Sequence, residues 1–322
     1  MQTSSPAANV TDQLLARSGV VAMIGRTPLV RLHRLEAAAG LPEFIELWLK
    51  AEWTNPGGSV KDRPALGIVR QALNDGLLES GKALIDSTSG NTGIAFAMLG
   101  AALGFPVTLV LPASASDERK RILAAYGATV IESDPYEGSV GAIRHVRQLV
   151  EATPEAWVYA NQYGHEANPA AHYATTGPEI WGQTAGRITH FVAGLGTTGT
   201  MMGVGRFLKE QSPDVELLGV EPAEPFHGIE GLKHLETAIV PPIYDPALVD
   251  RHLGIDTNEA FDRARELADR EGLFVGTSTG AAIAGALQVA AEAAETGSPA
   301  VIVAVAPDNG SKYLSTGLWG PR

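Results

Sequence analysis

Short apolar runs alternate with amphipathic segments along almost the whole chain, and this alternation is the feature that most restricts its fold. The amphipathic segments carry apolar residues at helical spacing, as in residues 60–74, and so predict helices. The apolar runs predict strands at 47–50, 83–85, 107–111, 129–131, 157–159, 188–192, 217–220 and 300–304. Because strands that alternate with helices form parallel sheets covered on both faces, the sequence predicts an α/β fold.

The length of 322 residues suggests two domains. No internal repeat or low-complexity segment marks the boundary. The polar, turn-rich stretch at 161–168 (NQYGHEAN) is the predicted crossover between them.

Composition excludes several classes of function. The net charge is −12 and there is no basic block, so neither nucleic acid nor an anionic membrane is an expected partner. The chain has no cysteine and its eight histidines are scattered, so no metal site is expected. No apolar run reaches the roughly 18 residues of a membrane span. The first residues lack a signal-peptide pattern, and a cytoplasmic protein is therefore expected.

A glycine-rich stretch, VAGLGTTGT at 192–200, lies between a predicted strand and a predicted helix. Its three glycines fit G-x-G-x-x-G, and Glu221 follows about twenty residues later, as in an NAD-dependent dehydrogenase. That pattern alone is weak. Backbone N–H groups and three threonine hydroxyls in such a loop can surround any phosphate, so the identity of the phosphate stays open at this point.

The stretch NPGGSVKDR at 55–63 predicts a turn followed by a helix capped by Ser59. Lys61 would then lie in the first helical turn, where the helix dipole lowers the pKa of its ammonium group. A neutral lysine amine is a nucleophile that can form a Schiff base. The alternative is a surface lysine paired with Asp62 or Asp75.

Two further polar stretches open predicted helices. DSTSGNTG at 86–93 follows a strand and carries neutral donors, which suit a carboxylate, although an ordinary capped turn would look similar. GTSTGA at 276–281 precedes an alanine-rich helix. Its Ser278 is either a helix cap or a hydroxyl directed at a ligand ring.

Taken together and in this order, six blocks resemble the cysteine synthase group of fold-type II, pyridoxal-phosphate-dependent enzymes. The blocks are NPGGSVKDRPA, STSGNTGIA, NQYGHEANPAAHYATTGPEI, FVAGLGTTGTMMG, GTSTGAA and KYLSTG, and the similarity spans residues 24–317. The resemblance implies two open parallel-sheet domains with helices on both faces, similar to the tryptophan synthase β subunit. Residues 1–54 with 164–322 would form the larger domain, which binds the cofactor phosphate. Residues 55–163 would form a smaller, mobile domain that carries the Schiff-base lysine and the loop for the substrate carboxylate.

The resemblance also implies roles for individual residues. Pyridoxal 5'-phosphate would be the cofactor, with Lys61 as Schiff-base lysine and general base, Asn91 at the ring hydroxyl and Ser278 at the pyridine nitrogen. The residues implied at the cofactor phosphate are Gly196, Thr197, Thr198, Gly199 and Thr200. The residues implied at the substrate are Thr88, Ser89, Asn91, Thr92, Gln162, Gly231 and Lys233.

The implied reaction is a β-replacement that makes L-cysteine from an O-activated L-serine and sulfide or another sulfur donor. Lys61 would remove the α-proton, the β-substituent would leave, and sulfur would add in its place. A serine opposite the ring nitrogen supplies no charge and leaves the cofactor a weaker electron sink, which suits a carbanion that eliminates at once. The expected partners are therefore a small amino acid and a sulfur donor, and a homodimer is the expected assembly.

The chain departs from the O-acetylserine enzymes after Glu221. Those enzymes resemble KIQGIGAGF here, whereas this chain keeps Ile-x-Gly and continues with Leu-Lys-His at 232–234. Phosphoserine-using and B-type members are more similar, so acetate and phosphate both stay open as leaving groups. Lys233 would contact a substrate phosphate or be a solvated loop lysine. A reaction similar to that of cystathionine β-synthase, another β-replacement and a silent cofactor-binding regulator are alternatives, and a dehydrogenase would leave Lys61 and Asn91 without a role.

Overall fold

The computed structural model describes residues 10–78, 81–88 and 90–320, and this part of the chain forms ten strands and twelve α-helices. The strands are β1 (Leu29–Arg31), β2 (Ile45–Ala51), β3 (Ala83–Ser87), β4 (Val107–Pro112), β5 (Thr129–Ser133), β6 (Trp157–Tyr159), β7 (His190–Gly194), β8 (Glu216–Pro222), β9 (Arg251–Ile255) and β10 (Ala300–Ala306). The helices are α1 (Val10–Arg17), α2 (Gly19–Ala22), α3 (His33–Ala38), α4 (Asp62–Asn74), α5 (Asn91–Leu103), α6 (Asp117–Ala125), α7 (Gly138–Ala152), α8 (Ala167–Ala174), α9 (Thr176–Gln183), α10 (Gly199–Gln211), α11 (Thr257–Glu271) and α12 (Thr277–Thr296). None of the helices in the described ranges is long and apolar enough to cross a membrane.

The chain folds into two compact units whose bounds differ from those expected from the sequence. The smaller unit comprises Met1–Ile24 and Ala65–Asn161, and the larger unit comprises Gly25–Pro64 and Gln162–Arg322. Lys61 therefore belongs to the larger unit and not to the smaller one. The physical reason is pairing with the strand end at 307–308: Ser59 forms a β-bridge with Asp308, and the Val60 N–H donates to the Pro307 carbonyl at 2.8 Å.

The larger unit contains a six-stranded sheet in the order β1-β2-β10-β7-β8-β9. All neighbouring strands run parallel except β1, which pairs antiparallel with β2, so the predicted parallel sheet is confirmed apart from this edge. The sequence did not predict the two edge strands. β1 has three half-buried residues, and β9 alternates exposed with buried positions along Arg251–Ile255, so neither forms an apolar run.

Helices cover both faces of this sheet. One core joins α3, α11 and α12 to strand residues such as Val192, and the other joins α10 to Phe191 and Ala193 from the opposite side of the same strand. After β7 the chain continues into α10, which covers one face of the sheet. The strand next to β7, β10, is preceded by α12, which covers the opposite face. The carboxyl ends of β7 and β10 therefore lie at a topological switch point, where parallel α/β sheets place ligand sites.

The smaller unit contains a four-stranded parallel sheet in the order β5-β4-β3-β6. Ala142 and Val146 of α7 pack on Ile85 and Val110 to form a core on one face. From β3 the chain proceeds through α5 to β4 on one side, whereas β6 pairs on the other side. The carboxyl end of β3 thus lies where the strand order reverses, and the residues that follow it, 88–92, are placed at that edge.

A buried ionic network anchors the start of α4 within the larger unit. Arg63 donates to Glu52 at 2.7 and 2.8 Å and to Glu179 at 2.7 and 2.8 Å, and Lys50 donates to Glu179 at 2.7 Å. Lys50, Glu52 and Arg63 are almost fully buried. Their hydrogen bonds offset the cost of burying charge, and they hold the backbone two residues after Lys61 in place.

Glu179→Gln is expected to lower the free energy of unfolding by about 1–2 kcal/mol near pH 7, because it leaves Lys50 and Arg63 with less compensating charge. The expected cost is less than the ~3–5 kcal/mol of a fully buried pair because water still reaches this carboxylate. Burial opposes ionisation, but hydrogen bonds from Arg63 and Lys50 lower the pKa of Glu179 to about 2. The pKa of this carboxyl is about 4.5 in the unfolded chain and lower in the folded protein. The ionised carboxylate therefore stabilises the fold above about pH 4.5, and this stabilisation is lost as the pH falls towards 2.

In urea titrations, Glu179→Gln and the parent should therefore differ fully at pH 7, still differ at pH 4 and converge only as the pH falls towards 2. Glu292→Gln is the matched control, since its bidentate partner Arg251 is on the surface and exposed pairs contribute little. Equal losses in the two variants would contradict the role assigned to the buried network.

Candidate active site

The glycine-rich loop of the larger unit connects β7 to α10 at the switch point. A Cβ on Gly196 would clash with the Gly231 carbonyl, and a Cβ on Gly199 would clash with the Asn168 side chain, so only glycine allows this close approach. Thr198 has φ +66° and is buried, and its hydroxyl has no hydrogen-bond partner in the part of the chain that the structure describes. Together with the N-terminus of the 13-residue α10, the loop offers donors suited to an anion.

Helix α8 lies behind this loop and presents two side chains one turn apart. Asn168 donates from Nδ2 to the Gln162 carbonyl at 2.8 Å. The His172 ring lies between the hydroxyls of Thr176, at 2.9 Å, and Thr200, at 3.3 Å. Gln162, which was predicted to bind the substrate, therefore lies beside α8, the helix that packs behind the glycine-rich loop.

The structure begins α4 at Asp62, so Lys61 precedes the helix and does not lie in its first turn as predicted. The Lys61 N–H donates to Ser59 Oγ at 3.2 Å. Burial lowers the pKa of the Lys61 ammonium; Asp308 opposes this shift and the nearby Lys312 adds to it. The predicted direction of the pKa shift is confirmed, but its main cause is burial and not the helix dipole.

The alternative pairings of Lys61 are not what the structure shows. The Asp62 carboxylate accepts a hydrogen bond from the Gly57 N–H at 2.6 Å, and Asp75 accepts from Gln71 on the surface. Burial raises the pKa of Asp62 to about 7, and the hydrogen bond from Gly57 opposes that shift. Asp62 therefore shapes the turn before Lys61.

Ser278 is buried in the first turn of α12. That turn contacts the strand end that also pairs with residues 59–60: the Gly276 N–H donates to the Asp308 carbonyl at 3.2 Å, and a Cβ on Gly276 would clash with the Asp308 carboxylate. Lys61 and Ser278 are thus joined through one segment, 307–309. The neighbouring hydroxyls of Thr277 and Thr279 are buried and have no partner within the described ranges.

Lys233 lies beside the glycine-rich loop, since its N–H donates to the Leu195 carbonyl at 2.8 Å. Its ammonium group lies 5.0 Å from the centre of the Tyr163 ring, and burial lowers its pKa. No carboxylate within the described ranges pairs with it. Gly231, with φ +88°, adjoins Gly196 through its carbonyl. The structure therefore places both predicted substrate residues of this segment next to the loop.

Glu221 has a structural role that argues against a dehydrogenase. Its carboxylate accepts from the Leu235 N–H at 2.9 Å and contacts His252 Nδ1 at 2.9 Å. Those contacts fasten the segment that carries Lys233 to the end of β8 and to β9. The dinucleotide pattern requires an acid whose oxygens bind a ribose, and the oxygens of Glu221 are engaged in these other contacts.

The polar loop of the smaller unit follows β3. The Thr88 N–H donates to the Val110 carbonyl at 3.1 Å, and the Thr88 hydroxyl accepts from the Gly90 N–H at 3.3 Å. Asn91 begins α5 and Thr92 is buried in its first turn. Ser89, which was predicted to act with them, lies outside the described residues. The loop thus brings Thr88, Asn91 and Thr92 together at the N-terminus of a 13-residue helix.

The larger unit fits a ligand that carries both a phosphate and an aldehyde. The glycine-rich loop supplies a tight cradle with a buried, unpartnered hydroxyl, and Lys61 supplies an amine whose pKa is lowered. Sequence reasoning missed Asn168, His172, Asp308 and Lys312 around these groups. The spacing of four between Asn168 and His172 places both on one face of a helix and could have indicated the first two.

Comparison with known proteins agrees with this chemistry. Residues 20–308 match the family described as pyridoxal-phosphate dependent enzymes. A cysteine synthase of Aquifex aeolicus is 53% identical over 307 residues, which covers 95% of this chain and 94% of that protein. Cysteine synthase B of Escherichia coli K12 is 45% identical over 92% of this chain and 94% of its own. The crystal structure of a cysteine synthase from Entamoeba histolytica superposes with a TM-score of 0.89 at 36% identity, covering 100% of this chain and 94% of the other.

Proposed function

We propose that this chain, which belongs to the pyridoxal-phosphate-dependent enzyme family, is a cysteine synthase. It makes L-cysteine from an O-activated L-serine by replacing the β-substituent with sulfur. The observation that carries the proposal is the combination, in one unit, of a lysine with a lowered pKa and a glycine-rich loop with a buried, unpartnered hydroxyl. The identity of about half to relatives named cysteine synthase, over nearly their whole length, supports the same reaction.

The residues of the larger unit fit the cofactor that the family uses. Residues 196–200 would hold the phosphate, Lys61 would hold the aldehyde carbon covalently, and Ser278 would face the ring nitrogen. When bound, the cofactor withdraws electrons from the α-carbon of the amino acid. In the smaller unit, Thr88, Asn91 and Thr92 would bind the substrate carboxylate through directed hydrogen bonds, as the resemblance implies.

Lys61 would carry the proton chemistry. Its lowered pKa keeps a larger share of the amine neutral near pH 7, and a neutral amine can accept the α-proton of the substrate. Proton removal allows the β-substituent to depart with its bonding electrons. The sulfur nucleophile then forms the new bond to the β-carbon, and Lys61 returns the proton to the α-carbon.

Ser278 tests the electronic part of the proposal. Ser278→Ala should cost only about 1 kcal/mol in cofactor binding, since a neutral ring nitrogen loses one hydrogen bond. Ser278→Asp should keep the ring protonated, strengthen electron withdrawal and slow turnover. Stopped-flow spectra of the Asp variant with substrate should show a long-wavelength absorbance band that the parent lacks. A variant with the parent's rate and spectrum would contradict the neutral ring.

The leaving group is the finer part of the proposal. We assign O-phosphoserine as the preferred donor, because Lys233 offers a partly desolvated cation next to the loop with no carboxylate of the described residues paired to it. The purified holoenzyme should form cysteine from sulfide and O-phospho-L-serine faster than from O-acetyl-L-serine. No cysteine from either donor would contradict the function. Cystathionine formed when homocysteine replaces sulfide would favour the alternative β-replacement.

A homodimer and a cytoplasmic location stay predictions for this chain. Light scattering on the purified holoenzyme tests the first, with twice the mass of the 322-residue chain as the expected result. Fractionation of cells that express the protein tests the second.

A further inference from the structure

Three buried or half-buried side chains form a continuous hydrogen-bonded line beneath the glycine-rich loop. Thr176 Oγ1 lies 2.9 Å from His172 Nδ1, and His172 Nε2 lies 3.3 Å from Thr200 Oγ1. Thr176 and His172 are at most 1% exposed, whereas Thr200 is half-buried at the start of α10. The line therefore leads from the interior of the larger unit to a hydroxyl at the loop.

Close packing of two helices keeps this line in place. A Cβ on Gly203 of α10 would lie 2.6 Å from the His172 Cβ, so α8 rests directly on α10 without an intervening side chain. Asn168, one turn before His172, is in contact with Gly199 in the same way. The His172 ring has little freedom to turn away from Thr200.

The imidazole of His172 is neutral at physiological pH. Burial lowers its pKa well below the usual value, and the positive charges of Arg63 and Lys61 lower it further, while Glu179 opposes them. A neutral imidazole has one nitrogen that donates and one that accepts. The choice of tautomer therefore decides the direction of both hydroxyl groups in contact with the ring.

The two tautomers have opposite consequences at the loop. With the proton on Nδ1, the Thr200 hydroxyl must donate to Nε2 and offers a phosphate only lone pairs. With the proton on Nε2, the ring donates to Thr200 Oγ1, and the Thr200 O–H is left to donate elsewhere. Thr176 is fully buried and its hydroxyl has no other acceptor among the described residues, so its proton finds a partner only by donating to Nδ1, which leaves the ring proton on Nε2. A phosphate dianion accepts hydrogen bonds and cannot donate them, so only the second arrangement supports it.

We propose that Thr176 and His172 are positioning residues that select the Nε2–H tautomer and thereby direct the Thr200 hydroxyl to donate to the phosphate of the cofactor. The inference rests on the phosphate-binding role proposed for residues 196–200. Neither residue touches the phosphate itself. Their effect must pass through Thr200, and this requirement distinguishes the proposal from a general loss of packing.

Fluorescence titration of the apoprotein with two ligands tests the proposal. Pyridoxal phosphate and pyridoxal share the aldehyde and the ring but differ in the phosphate. Thr176→Val should raise the Kd for pyridoxal phosphate about three- to tenfold, the value of one hydrogen bond, and should change the Kd for pyridoxal less than about twofold. Thr176→Ser keeps the hydroxyl and should bind both ligands like the parent.

A double-mutant cycle shows whether the effect passes through Thr200. Thr200→Val should weaken pyridoxal phosphate binding about tenfold. Adding Thr176→Val in that background should then have almost no further effect, because the hydroxyl that it orients is gone. Thr184→Val is the matched control, since Thr184 is a buried threonine that follows α9 and donates to the Ile180 and Trp181 carbonyls.

Nitrogen-15 spectra of the histidine-labelled holoenzyme report the tautomer directly and require no variant that must fold. We expect His172 to carry its proton on Nε2 in the parent, and we expect a mixture of the two tautomers in Thr176→Val. A proton on Nδ1 in the parent, equal losses for the two ligands, or additive effects in the cycle would each overturn it. Because the titrations contain no amino-acid substrate, these outcomes are independent of whether the enzyme makes cysteine.

Discussion

Lys61→Ala is expected to abolish both cysteine formation and covalent retention of the cofactor. One amine is assigned both tasks, so its removal takes away the covalent anchor and the general base together. General-base catalysis alone contributes about 10²–10⁴ in rate, so kcat should fall by at least about a thousandfold. The variant should also lose the visible absorbance of lysine-bound cofactor, and borohydride reduction followed by mass spectrometry should find no adduct in the peptide that contains residue 61.

Lys209→Ala is the matched control for this experiment. Lys209 belongs to the same unit, donates to the Pro213 carbonyl and pairs with Asp250 at 2.8 Å on the surface. Its removal should leave the absorbance and the rate near those of the parent. An active Lys61→Ala enzyme with a reducible adduct at another lysine would overturn the assignment of Lys61.

Lys233→Ala is expected to cut kcat/KM for O-phosphoserine about ten- to a hundredfold, the range for a charge-assisted hydrogen bond. The phosphate ester carries about −1.5 to −2 at pH 7, whereas an acetyl ester is neutral until acetate leaves. The protein's net charge of −12 repels the phosphate, so a local cation must compensate. Lys233 is suited to this because its ammonium is partly desolvated over Tyr163. The rate with O-acetylserine should change far less.

Two further variants separate charge from packing at this position. Lys233→Arg keeps the cation and should retain most of the preference for O-phosphoserine, while Lys233→Met keeps the aliphatic stem and should lose it. Steady-state kinetics with both donors provide the comparison. Equal losses for the two donors, or no loss for either, would make Lys233 an ordinary loop lysine.

Much of the fold follows from local patterns in the chain. The strand at 157–159 has the bounds that its residues predict, because an apolar run and its flanking turns are local properties of the chain. The edge strands β1 and β9 were missed for the same reason. Each owes its strand conformation to hydrogen bonds with a neighbouring strand rather than to an apolar pattern of its own.

The candidate site divides in a similar way. Lys61 and the loop at 196–200 were predicted from chemistry-bearing motifs that are contiguous in sequence. Contacts between residues far apart in the sequence were not predicted. The hydrogen bonds of Arg63 with Glu179 are an example, since 116 residues separate the two. Such pairs depend on which surfaces meet after the sheet and its helices have packed, and no local pattern records that.

The sequence by itself determined the parallel α/β architecture and supplied a lysine, a glycine-rich loop and a serine-bearing helix start, whose roles in pyridoxal-phosphate chemistry are implied by the family resemblance. Tertiary structure alone decided that Lys61 belongs to the larger unit, that burial rather than a helix dipole lowers its pKa, and that His172 stands between Thr176 and Thr200. The physical reason is that strand and helix patterns are encoded in neighbouring residues, whereas burial, pKa values and tautomers depend on side chains that only packing brings together.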